Sequence, residues 1–189
     1  MLGLFVSCNE SASEKASQNS RVEVNALKTA ISSPPATQSS APIADYWQQG
    51  KAELNHYELI QNRYRDLHNG EVVLVFVRED FLYEKQVKND YYLNPNSTPI
   101  LKTNKLLRFP TGLYDYSLMT SVFTPFDAQA FPQTLKVSHT AQDWCGQGYL
   151  QMNRAGNAYK LSSFSYFESE GDDVVSVSED MLEDELFNR

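Results

Sequence analysis

The stretch EVVLVFVRE, residues 71–79, decides how the rest of the chain is read. A continuous apolar run of this length with charges at its ends, preceded by the turn formers Asn69 and Gly70, predicts a central β-strand. Working outward, Tyr114, Tyr116, Leu118, Thr120 and Val122 alternate with Asp115, Ser117, Met119 and Ser121. Tyr159, Leu161, Ser163, Ser165 and Phe167 likewise alternate with Lys160, Ser162, Phe164 and Tyr166. Period two is the signature of a strand with one face buried. Turn residues punctuate the runs at Asn69 and Gly70, at 110–112, and at 153–157 around Gly156, so the strands are read as antiparallel neighbours. The segment 52–64 is ambiguous, because Leu54, Tyr57, Gln61 and Tyr64 also fit helical spacing. The strand reading is preferred, since 71–79 needs a hairpin partner. About seven strands emerge. The expected fold is mainly β, a curved or barrel-like antiparallel meander ending in a short helix, with a two-sheet β-sandwich as the alternative.

Composition marks where this β-rich domain lies. All 11 tyrosines, both tryptophans and eight of the 10 phenylalanines fall within 46–167. Residues 9–45 carry eight serines, three prolines and no aromatic side chain. Such a segment buries too little apolar area to offset an ordering cost of about 1–2 kcal/mol per residue, so 9–45 is expected to be a disordered linker. The β-rich domain is placed at 46–171, followed by an acidic segment at 172–189. There Ser178 is read as the cap of a short helix with Leu182 and Leu186 on one face. No C-terminal cap follows that helix, and the natural protein is expected to continue.

The charge is uneven. Of the net −8, residues 1–45 contribute −1, residues 46–167 contribute +1 and residues 168–189 contribute −8. A nearly neutral folded region lacks the basic face that dominates nucleic-acid affinity, which argues against that partner. No run of about 18 apolar residues exists to form a spanning helix.

Residues 1–8, MLGLFVSC, read as the clipped end of a lipoprotein signal: five apolar residues, the small Ser7, then Cys8 as the acylation point, with polar Asn9, Glu10 and Ser11 opening the mature chain. Two or more acyl chains at about 0.8 kcal/mol per buried CH₂ anchor a protein stably. Cys8 is therefore the expected lipidation site, the membrane the expected partner through that anchor, and the cell envelope the expected location, at the outer membrane or a periplasmic face. The competing reading leaves Cys8 an ordinary thiol in a frayed end. With Cys8 acylated, Cys145 is a lone thiol.

Candidate chemistry is sparse. SHTAQDWCGQG, 138–148, places His139, Asp143 and Cys145 within seven positions, the residue types of a thiol nucleophile, its base and an orienting carboxylate. On a straight strand, however, His139 and Cys145 stand about 20 Å apart, so catalysis requires a bend at 141–142. The alternative is a structural cysteine beside Trp144. ESEGDD, 168–173, offers Glu168, Glu170, Asp172 and Asp173 for a hard cation, or simply as a solvated acidic loop. No CxxC, HExxH, GxSxG or Gly-rich phosphate loop is present, and no cofactor is expected.

The segments WQQGKAELNHYELIQNRY (47–64), EVVLVFVRED (71–80), LYDYSLMTSVFTP (113–125), QDWCGQGYLQMN (142–153) and SYFESEGD (165–172) together resemble an uncharacterised family of Bacteroidota lipoproteins. WCG and YFESEGD are the most specific parts. The resemblance implies an envelope lipoprotein and a family chain longer than this one. Members often bear the label "septum formation inhibitor Maf", which implies a nucleoside triphosphate pyrophosphatase on an α/β fold with a Ser- and Arg-rich phosphate loop. No segment here matches that loop, and no catalytic residue is carried over. The function expected is that of a noncatalytic binding or accessory module for a protein or apolar ligand. The competing expectation is an envelope hydrolase or transferase using Cys145 or the acidic loop.

Overall fold

The computed structural model describes residues 45–178 and Asn188. The signal with Cys8, most of the linker and the helix expected after Ser178 lie outside the described residues. Within them the chain is almost entirely β, with one helical turn at 45–47.

Nine strands form a single antiparallel sheet: β1 Glu53–Arg63, β2 Asp66–Leu82, β3 Val87–Lys88, β4 Ser97–Pro110, β5 Asp115–Pro125, β6 Lys136–Gln142, β7 Gln147–Ala155, β8 Ala158–Ser165 and β9 Asp173–Val177. Their order across the sheet follows the chain, β1-β2-β4-β5-β6-β7-β8-β9, with the two-residue β3 beside β2. The fold is thus a meander in one open sheet, neither a closed barrel nor a two-sheet sandwich. The ambiguous segment after residue 52 is a strand, and the acidic segment supplies β9, which pairs with β8 from Tyr159↔Val177 to Ser163↔Asp173.

One expectation fails at the first hairpin. Asn69 and Gly70 do not form the turn; they lie inside β2, opposite Ile60 and Leu59. The turn is made by Tyr64 and Arg65, with φ of 54° and 70°. Positive φ at both central positions of a two-residue loop is type I′ geometry, which matches the twist of the strands but normally selects Asn-Gly. Gly70 serves a different purpose. A methyl there would collide with the Arg108 carbonyl and the Phe109 side chain on β4, so glycine permits the close approach of β4 to β2.

The sheet as a whole is not flat. From β1 to β8 is six ladder steps, which a flat sheet at about 4.8 Å per step would spread over roughly 29 Å. Yet Gln61 of β1 and Ser165 of β8 line the same cavity. The sheet is curled into a trough.

The register assigns the faces. Leu74, Phe76, Leu101, Val122, Val137 and Tyr159 occupy paired positions on the concave side. Leu74, Phe76 and Leu101 pack with Trp47 and Val72, while Val122, Val137 and Tyr159 pack with Met152. Tyr159, fully buried, donates its hydroxyl to the Thr134 carbonyl at 2.7 Å. On the convex side Phe81 and Ile100 pack with Leu135, Tyr83, Phe123 and Phe131, beneath the loop joining β5 to β6. Side chains also tie the sheet across its width. The buried Gln86 donates to the Arg154 carbonyl at 2.7 Å and accepts from Asn153 at 2.7 Å. Asn188 reaches back onto β4 and β5, accepting from Thr103 and donating to the Leu101 carbonyl at 3.2 Å and to Thr124 Oγ1 at 3.0 Å.

Candidate functional site

A curled sheet without a second sheet leaves its concave face to be filled by other means. Trp47 covers the β2 and β4 end of that face, and Asn188 sits over β4 and β5. Between β4 and β7 a cavity of about 400 Å³ is lined by Leu107, Leu118, Val137, Leu150 and Met152, with Lys105, Thr120 and His139 as its polar wall. These residues share one face by register: Lys105↔Thr120, Leu107↔Leu118, Thr120↔His139, Val137↔Met152 and His139↔Leu150. Apolar walls with a few convergent polar groups are what small-molecule sites offer.

Leu118 also lines a second cavity of about 310 Å³ where the trough opens, at the end that carries the β1–β2, β4–β5, β6–β7 and β8–β9 turns. Here Arg63, Phe109, Tyr116, Asp143, Phe167 and Glu170 converge. Tyr116 stacks on Phe109 with ring centroids 4.8 Å apart and 7° between planes. Arg63 donates from Nε and a terminal nitrogen to the Tyr116 hydroxyl, both at 3.3 Å. Tyr64, from the type I′ turn, completes the group, with its hydroxyl 2.6 Å from that of Tyr116 and 3.1 Å from that of Tyr114.

Three phenols sharing protons beside a guanidinium cannot titrate alike. Hydrogen bonds from Tyr114 and then Tyr116, helped by Arg63, favour a phenolate on Tyr64 and lower its pKa. Tyr114 is pushed up by the same contact with Tyr64 and by the Cys145 thiol, and Tyr116 is raised by burial and by Tyr64. The contacts that hold Tyr64 in place also hold two non-glycine residues at positive φ.

The residues singled out from sequence are distributed as follows. Asp143 and Cys145 come together in the β6–β7 turn, where Asp143 Oδ1 accepts the backbone N–H groups of Cys145 and Gly146 at 2.7 and 2.9 Å. The Cys145 thiol lies 3.6 Å from the Tyr114 hydroxyl. His139 sits on β6, its Nδ1 2.9 Å from Thr120 Oγ1. The carboxylate of Asp143 is engaged by its own turn, and the partner shown for the sulfur is a phenol. Glu170 accepts from Ser165 Oγ at 2.5 Å and Asp172 from the Ser165 N–H at 3.3 Å, so both close the β8–β9 loop. Glu168 and Asp173 are exposed beside them. Among the described residues no three His, Cys, Asp or Glu side chains converge on a metal-sized site.

Sequence reasoning did not single out Arg63, Tyr64, Tyr114 or Tyr116, which are joined across 50 to 53 positions of chain. The only trace available was Tyr-x-Tyr at 114–116 facing the unexplained Tyr64. The WCG and YFESEGD segments do meet: a Cβ added at Gly146 would press on the rings of Tyr166 and Phe167. No known protein family, characterised protein or solved structure matches this chain.

Proposed function

We propose that this chain is a lipid-anchored protein of the bacterial cell envelope, held through Cys8, whose folded part is a noncatalytic module that binds an apolar ligand in the trough. The observation that carries the binding half is the cavity of about 400 Å³ walled by Leu107, Leu118, Val137, Leu150 and Met152 on the concave face. Sheets of this size bury both faces or line a compartment, and among the described residues this cavity is the more apolar of two compartments on the concave face. The anchoring half is supported by the Leu-to-Cys8 sequence and the long polar stretch after it. The contacts described for Cys145 and Asp143, a phenol and a turn, add nothing to a hydrolase reading.

Two measurements test the halves separately. Intact mass of the protein extracted from membranes shows acyl chains on Cys8; a bare thiol in a soluble fraction defeats the anchor. Displacement of an apolar fluorophore by a long-chain acyl compound tests the trough. Leu118→Arg, which puts a charge between the two cavities, abolishes that displacement while the circular dichroism spectrum stays unchanged. Equal binding by the variant defeats the ligand site.

A further inference from the structure

In an antiparallel meander alternate turns fall at the same end, so the β1–β2, β4–β5, β6–β7 and β8–β9 connections form one rim around the open end of the trough. Each presents a large apolar side chain to solvent. Leu67 is 73% exposed, Leu113 80%, Trp144 79% and Tyr166 73%, with Tyr64 beside Leu67 at 55%. Isolated exposed hydrophobics are ordinary, but the same feature on four successive tips at one end marks an interaction surface.

The rim is rigid. Tyr64 is hydrogen bonded to Tyr114 and Tyr116, the Trp144 ring stacks on Tyr114 at 6.3 Å, and Gly146 lies against Tyr166 and Phe167. Presenting these aromatic side chains therefore costs little ordering on contact.

We infer that this rim seats on the surface of a lipid bilayer, with the tips entering the boundary between headgroups and acyl chains. Tyrosine and tryptophan, with an apolar ring and a polar tip, are the residues enriched at that depth, and leucine suits the level just below it. The turns surround a cavity mouth instead of presenting a filled face, which suits a deformable fluid surface better than a protein face needing some 800 Å² of matched contact. The charges decide the lipid class. Arg63, Arg65 and Arg108 share this end with Asp66, Asp115, Asp143, Glu168, Glu170 and Asp172. That balance gives no attraction to anionic headgroups, so the surface is zwitterionic lipid. The inference needs neither an acyl group on Cys8 nor a ligand in the trough.

The test uses the full chain with Cys8→Ser, so that no lipid anchor contributes, and unilamellar phosphatidylcholine vesicles with or without phosphatidylglycerol. Cosedimentation with the pure zwitterionic vesicles, unchanged by high salt, is expected, together with a blue shift and bromolipid quenching of Trp144 in a Trp47→Phe background. Leu113→Ser with Trp144→Ser lowers partition by roughly tenfold or more. Tyr91→Ser with Leu93→Ser, on the exposed loop at the opposite end, leaves it unchanged. Absence of cosedimentation, dependence on phosphatidylglycerol and low salt, equal loss in both double variants, or self-association through the rim without vesicle binding each overturns the inference.

Discussion

Tyr64 carries the most information of any single residue in this protein. It adopts a backbone conformation that costs a side-chain-bearing residue about 1–2 kcal/mol, and its hydroxyl reaches Tyr114 and Tyr116 at the start of β5, three ladder steps from β1. Its lowered pKa gives a direct readout. For a phenol lowered below its ordinary 10.0, the associated stability is present above pH 10 and lost as pH falls through the folded value; for the raised Tyr114 and Tyr116 it is present below pH 10 and lost above. An ultraviolet titration should therefore show one tyrosine ionising before the others. Tyr114→Phe, which removes a hydroxyl hydrogen bonded to Tyr64, shifts that early transition towards 10; an unchanged curve would refute the assignment. None of this was legible in the sequence. Hydrogen bonds between residues some 50 positions apart leave no periodic trace, whereas Asp143, Cys145 and the acidic loop attracted notice because their chemistry is written locally.

Among the elements, the strands were legible and one of their joints was not. Tyr114 to Val122 and Tyr159 to Phe167 alternate in sequence, and β5 and β8 cover most of those runs. Segment 52–64, balanced between helix and strand, became β1 because its neighbour needed a partner, an argument about pairing rather than propensity. Asn-Gly at 69–70 is the strongest short hairpin signal, yet here Gly70 is required for the approach of β4, and the chain turns five residues earlier. Tertiary contact outweighed turn propensity. Arg65, half of that unfavourable turn, makes no side-chain bond among the described contacts, so Arg65→Gly should relieve the left-handed strain and raise stability by about 1 kcal/mol, seen as a higher urea midpoint at unchanged slope. A lower midpoint would mean that the guanidinium contributes more than the strain.

At the scale of the whole molecule, the β-rich class and antiparallel order could be read from the spacing of strands and turns, but whether the sheet closed could not. Closure depends on curvature and register, and the contacts that hold this sheet in shape are long-range: Arg63 on Tyr116, Gln86 on Arg154 and Asn153, and Asn188 on Thr103, Leu101 and Thr124. Gln86 is the one of these that is buried and held at positive φ, at 54°. Gln86→Ala removes both ends of its bridge and leaves the Arg154 carbonyl and the Asn153 amide without it, a loss of about 1–3 kcal/mol measurable by chemical denaturation. Gln86→Glu, which keeps an acceptor for Asn153, should lose less than the alanine variant if solvent reaches the other end; equal loss would show that the donor half dominates.

The open sheet has one more consequence. A closed barrel has its girth fixed by strand number and shear, but a gutter with two unjoined lips obeys no such rule, and its width follows whatever props it apart. Any widening at those lips works against the far-reaching side-chain struts, which set how much force each extra ångström demands.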